Sequence, residues 1–303
     1  MTTVFSIVPS KAPNLPVAPQ EYDADFQNKF ENLLRLYFNQ IDSAIGQIVG
    51  SGTSSNPNFV VTNNESPYAL PPYLQVSRGL VSGTSVVNII GYQTSVGSAT
   101  SIPIWENAIA YTYPPSAIPM TLYSSSASDT SVSVQINGLD TAYNISSEIL
   151  VCTGTLGAVT TGSYLRINSI SITGSNNAVG TIYLSNAAKT VTYAQIAIGI
   201  GRSQMAIYTV PNGYSLYISR INMQSQLGGS TTSYVTYKAQ TYASNGISTV
   251  ISQNPFTANY TVTRQSPVQI PAKTDIQIQC QTNTGTTAIG VDFEGILIAN
   301  GTS

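Results

Sequence analysis

The sequence predicts a mainly β protein: an N-terminal extended arm and one amphipathic helix, followed by antiparallel β-sandwich domains of jelly-roll type. Three observations carry this. After residue 58, apolar and polar residues alternate in short runs bounded by Gly, Asn, Pro and Ser, as half-buried antiparallel strands require. Only one segment, near the start, has a convincing helical period. Ser and Thr make up 72 of 303 residues while charged residues are only 8%, a composition suited to β-rich proteins whose outward faces are uncharged.

The arm comes first. Pro9, Pro13, Pro16 and Pro19 fix φ and remove backbone donors, so residues 1–22 favour an extended path. From Asp23, a candidate N-cap, the pattern becomes helical. Phe26, Phe30, Leu33 and Tyr37 recur at spacings of four and three, and Leu34, Phe38, Ile41, Ile45 and Ile48 widen the stripe. Asp25 before Lys29 and Glu31 before Arg35 add about 0.3 kcal/mol each as i,i+4 pairs. The helix 23–48 is roughly 37 Å long. Its stripe is broader than a two-stranded seam. The expected oligomer and anchor interface is therefore Phe26, Phe30, Leu33, Leu34, Tyr37, Phe38, Ile41 and Ile45, with a homotrimer the expected assembly.

Gly46 and the Gly50, Gly52 pair end the helix, and residues 51–58 read as a flexible linker. Eight of the charged residues, 11 basic and 13 acidic in all, lie before Ser43, so anchor and body are chemically unlike. A first sandwich is expected over 59–188 and a second over 189–303, divided in the Gly-broken segment Ala187 to Gly201. Val132, Val134 and Ile136 form one strand face, and Tyr164 to Ile172 gives another run. Ala206 to Val210 ends at the turn Pro211-Asn212-Gly213. Tyr217, Ser219, Ile221 and Met223 alternate against Ile218, Arg220 and Asn222, and Tyr234 to Ala239 follows. Ile276, Ile278 and Cys280 mark a late strand, then Val291 and Phe293 with Asp292 and Glu294 turned outward. Tyr68 to Tyr73 and Tyr111 to Pro115 read as ordered loops.

A net charge of −2 provides no basic field for a phosphate backbone, so nucleic acid is not an expected partner. No run approaches 18 apolar residues, and the opening MTTVFSIVPSKAPN has no basic region followed by an apolar core, so neither a membrane span nor an export signal is expected. Cys152 and Cys280 each fall on an apolar strand face and read as buried free thiols. The chain has no histidine, which removes Ser-His-Asp and Cys-His nucleophiles and His-based metal sites. Two distant cysteines make no zinc site, and no phosphate-binding loop is present; Gly199 and Gly201 are half of a dinucleotide fingerprint at most. Paired carboxylates are the remaining route to catalysis. Asp292 and Glu294 on one exposed strand face read as solvated surface, so no catalytic, metal or cofactor site is assigned and no enzymatic activity is expected.

The segment LPVAPQEYDADFQNKFENLLRLYFNQID, Leu15 to Asp42, resembles the N-terminal signature of virion structural proteins of tailed bacteriophages, especially phages of marine and freshwater bacteria, including cyanophage-like ones. SRGLVSGTSVVNIIGYQTSVG (Ser77 to Gly97), SQMAIYTVPNG (Ser203 to Gly213), IPAKTDIQIQCQTN and VDFEGILI are similar to segments of the same family. The resemblance implies an anchoring N-terminus ahead of β-sandwiches, commonly trimeric, on the virion surface: a capsid decoration or cement protein or a head fibre, attached to other virion proteins. A tail fibre or adaptor binding a host receptor uses the same layout. A carbohydrate-binding module or glycan depolymerase is the reading from another class, with Tyr111, Tyr113, Tyr214 and Tyr217 as candidates to stack on a host-surface glycan.

Overall fold

A computed structural model describes residues 24–50, 71–107, 109–226 and 233–301. The extended arm and the linker 51–58 lie outside the described residues. The chain divides into one unit ending at Ser82 and another running from Gly83 to Ser303.

In the first unit the helical period gives helix α1 (Ala24–Gly50), within two residues of the expected bounds. Tyr68 to Tyr73 does not end as the loop its prolines suggest. Pro72 opens a short helix α2 (Pro72–Ser77), because proline at the first helical position lacks an N–H that would be unpaired anyway. Gly79, at φ 69°, closes it, and the Leu80 amide donates to the Gln75 carbonyl at 2.9 Å, the bond pattern of a glycine-ended helix.

The second unit is antiparallel β throughout its named pairings. In chain order the strands are β1 (Thr84–Val96), β2 (Ile102–Pro103), β3 (Ile118–Ser124), β4 (Ser133–Leu139), β5 (Ile145–Val151), β6 (Ala158–Tyr164), β7 (Arg166–Thr173) and β8 (Ile182–Ser185). They continue as β9 (Thr192–Ile196), β10 (Ile207–Thr209), β11 (Tyr214–Ser225), β12 (Val235–Ala243), β13 (Ser248–Phe256), β14 (Asn259–Ile270), β15 (Thr274–Thr282) and β16 (Thr287–Ala299). Sheet order is β1-β16-β11-β14 against β10-β15-β12-β13, with β2 on β15, and β6-β3-β8-β9 against β5-β4-β7.

Two sandwiches result, as the alternation predicts, but they do not divide the chain in a line. β1 and β2, expected in a sandwich over 59–188, pair with β16 and β15 at the far end. The sandwich of β3 to β9 is an insertion between β2 and β10. Each has its own core: Val87, Ile218, Tyr237, Ile278 and Phe293 in the outer sandwich, and Trp105, Leu122, Ile136, Tyr164 and Ile170 in the inserted one. The two chain passes that join them run side by side, bridged at Trp105 and Met205, and the Ala206 amide donates to the Ile104 carbonyl at 2.7 Å. Gly91 permits that approach: a Cβ there would stand 2.6 Å from Ala206 Cβ and from the Ile104 carbonyl.

Local irregularities decide which side chains face out. In β11 the pairing shifts between Ile218 and Arg220. This bulge at Ser219 moves the alternation by one, so Ile218, expected opposite Ile221 and Met223, is buried with both while Tyr217 turns outward. β15 is buried on both faces. Its glutamines, which alternation would place in water, find partners: Gln277 donates to the Tyr113 hydroxyl at 3.1 Å and Gln279 to that of Tyr242 at 2.9 Å. Cys152 and Cys280 are buried free thiols.

Candidate functional site

The expected anchor face lies on α1. Phe26, Phe30, Leu33, Leu34 and Tyr37 are half-buried, and none of the α1 side chains described is fully buried. Phe26 and Phe30, one turn apart, stack with centroids 6.3 Å apart. Phe38 is 58% exposed, and so is Leu36 at 56%, a residue that the stripe's period leaves out. Ile41 and Ile45 lie on the helix, with side chains outside the described residues. Both cores are built from residues of the Gly83–Ser303 unit. Among the described residues, neither core takes a side chain from α1, whose apolar stripe is half-buried at most.

The body is fastened where its sandwiches meet. Arg166 at the start of β7 makes a two-pronged ion pair with Asp275 on β15, Nε to Oδ1 at 2.9 Å and Nη2 to Oδ2 at 3.1 Å, with side chains only 13% and 8% exposed. Its third donor reaches the Leu165 carbonyl, and the guanidinium lies 4.3 Å from the Tyr113 ring centre. Thr209 donates to Asp275 at 2.6 Å, and Asn168 exchanges two bonds with the Thr209 backbone. Burial opposes the charge on Arg166, but the Asp275 carboxylate outweighs it and lifts the pKa. A buried pair so fully bonded specifies one geometry for the joint. Sequence reasoning missed it because its partners are 109 residues apart.

Of the candidates for stacking on sugar, Tyr111 is packed inside and Tyr113 is half-buried against the same core. Tyr111 stands edge-on between Trp105 and Tyr113, at 5.0 Å from each. Burial raises the pKa of both tyrosines. Tyr214 and Tyr217 are half-buried. Asp292 and Glu294 do point outward between buried Val291 and Phe293, yet they are not simply solvated like charges. Arg220 lies 3.1 Å from Glu294 and 3.7 Å from Asp292, and Asn222 donates to Asp292 at 2.9 Å. The Arg220 partner follows from the β11–β16 register, which pairs Arg220 with Glu294 and which alternation within one strand does not give. Among the described residues no cluster of Cys, Asp or Glu is arranged to hold a metal, and no helix is long and apolar enough to cross a membrane.

One half-buried acid stands apart for its inward-turned carboxyl. Both carboxyl oxygens of Glu106, beside the Trp105 crossing, are closed off from solvent and have no hydrogen-bond partner among the described residues. Burial pushes its pKa from 4.5 up to about 7. The amides of Ala197 and Gln204 face it and temper the rise without completing hydrogen bonds.

No family model matches the chain, and no curated protein does. Among solved structures, a chain of infectious bursal disease virus, Gx strain, overlaps 77% of this chain and 79% of its own length at 9% identity, with a TM-score of 0.22. A chain of the Gt strain overlaps 72% of each at 10% identity and a TM-score of 0.18. Scores this low identify neither a fold nor a family.

Proposed function

We propose that this is a non-enzymatic virion structural protein that mounts through residues 1–50 as a homotrimer and displays its β body on the particle surface, as a capsid decoration or cement protein or a head fibre. The observation that carries the reading is the contrast between α1, whose stripe has no fully buried side chain among those described, and a body that closes two cores of its own. Three stripes meeting about an axis would bury what one helix leaves in water. The uncharged Ser and Thr surface and the resemblance of five segments to tailed-phage virion proteins support the same reading.

Deleting residues 1–50 tests it. The truncated protein should keep its β circular dichroism, elute as a monomer by light scattering and fail to join particles. Incorporation at the wild-type level would overturn the anchor assignment. Labelled full-length protein on intact particles distinguishes head from tail, and labelling at the tail would replace decoration with a tail fibre or adaptor.

A further inference from the structure

The outer sandwich carries a second surface, at the end of the β12-β13 pair. A cavity of about 590 Å³, open to solvent, is lined there by residues of both strands and of the turn after β13. Its size is in the range of small-ligand clefts. Register builds it. Thr236 pairs with Pro255 and Lys238 with Gln253, so these four side chains share the face turned away from the buried Val235, Tyr237 and Phe256. Thr236 and Pro255 are short and leave a trough. Tyr234, 44% exposed, stands at its end with Thr257.

The chemistry of the lining is selective. On this face the side-chain hydroxyls of Tyr234, Thr236 and Thr257 and the amide of Gln253 have no hydrogen-bond partner among the described residues. No charged residue lines the trough. Deeper in the same sandwich such groups are tied in pairs, as Gln279 is to Tyr242 and Tyr237 to Ser252, whereas those of the trough are open to a ligand. An exposed aromatic face beside neutral donors and acceptors complements a sugar ring, which offers an apolar C–H face and a rim of hydroxyls. A peptide adding a strand is a poorer fit, because Pro255 on the edge strand β13 has no N–H to give.

We propose that this trough is a binding site for a neutral oligosaccharide, which stacks on Tyr234 and exchanges hydrogen bonds with Gln253 and Thr236. None of the lining residues belongs to α1, so the test is independent of the virion assignment. Full-length protein is applied to an array of neutral oligosaccharides of glucose, galactose, mannose and N-acetylglucosamine, with uronate-containing glycans and extended peptides alongside, and the best neutral ligand is then titrated calorimetrically. Tyr234→Ala should weaken binding at least tenfold and Gln253→Ala about threefold or more. Tyr234→Phe, which keeps the ring, should stay within about threefold of wild type, and Tyr92→Ala, on the β1 face of the other sheet, should change nothing. Circular dichroism verifies that each variant is folded. Absence of binding to every neutral glycan, binding confined to uronates or peptides, or binding indifferent to Tyr234→Ala would overturn the proposal.

Discussion

Replacing Glu106 by glutamine removes a charge from a place that cannot solvate it. The burial that raises the carboxyl from 4.5 to about 7 means that the folded protein holds this proton more tightly than the unfolded chain does. Its contribution is therefore fully present below about pH 4.5, declines as pH rises to about 7, and beyond that stays at its least favourable. A rise of that size corresponds to roughly 3 kcal/mol if burial were complete. The residue as a whole is only half-buried, so solvent screening reduces the effect to about 1 to 2 kcal/mol. Glutamine has the same shape and no charge to lose. Relative to wild type, Glu106→Gln should gain about 1 to 2 kcal/mol between pH 4 and pH 8, or roughly 3 to 6 °C in Tm for a body of this size. Thermal unfolding followed by circular dichroism at pH 4, 6 and 8 measures it. Any constant cost of burying the amide shifts all three points together, so the change with pH is the informative quantity. A Tm difference that is flat from pH 4 to 8, or that moves against the variant at high pH, would refute the reasoning.

Other substitutions probe the joint and the fold. Arg166→Met leaves Asp275 buried without its partner and should cost about 3 to 5 kcal/mol in urea unfolding; adding Asp275→Leu should recover a large part of that. Gly91→Val places atoms where Ala206 and the Ile104 carbonyl already are, and should lower stability by more than about 2 kcal/mol or prevent folding, as soluble yield and Tm would report. Asp129 accepts hydrogen bonds from Ser124, Val179 and Gly180; burial raises its pKa, but these donors outweigh burial and lower it. Asp129→Ala should cost about 1 to 3 kcal/mol at neutral pH, and the deficit should shrink as acid removes the wild-type charge. Asp292→Asn with Glu294→Gln removes the charges from half-exposed pairs with Arg220, leaves Asn222 an amide oxygen to donate to, and should cost about 1 kcal/mol or less in thermal unfolding, with assembly unaffected.

How far the sequence could be read depended on the range of the interactions involved. Local signals were sufficient for α1, for the turn at Pro211-Asn212-Gly213, where Gly213 has φ 77°, and for strand faces such as Val132, Val134 and Ile136, all buried. The sandwich class followed from the same alternation. What failed was non-local. Nothing within β1 says that its partner is β16, so a nested arrangement was read as two domains in a row. Alternation marks Ile276, Ile278 and Cys280 as one face of β15 but does not show that Tyr113 and Tyr242 meet Gln277 and Gln279 on the other. The bulge at Ser219 inserts a residue that a strict period of two cannot absorb. Of the candidate surfaces, the stripe on α1 was legible as a helical period, whereas the Tyr234 trough was not, since its lining comes from paired strands and only register brings Thr236 opposite Pro255.

The nested connectivity also sets an order of events during synthesis. Thr84 pairs with Ile298, so β1 leaves the ribosome about 200 residues before its partner, a wait of roughly 10 to 40 s at ordinary elongation rates. The inserted sandwich has all its strands by Ile196 and can close meanwhile. During that interval the apolar row of β1, including Val87 and Ile89, is an open edge in a crowded cell. Its earliest contact is with the outgoing pass, where Gln93 donates to the Trp105 and Asn107 carbonyls at 3.0 and 2.7 Å, and the returning pass after the insertion then adds the Tyr92 amide to the Gln204 carbonyl at 3.4 Å. Early completion of the inserted sandwich would thus hold β1 in place for a strand not yet translated, and a variant slow to fold there should aggregate during expression even when its finished form is stable.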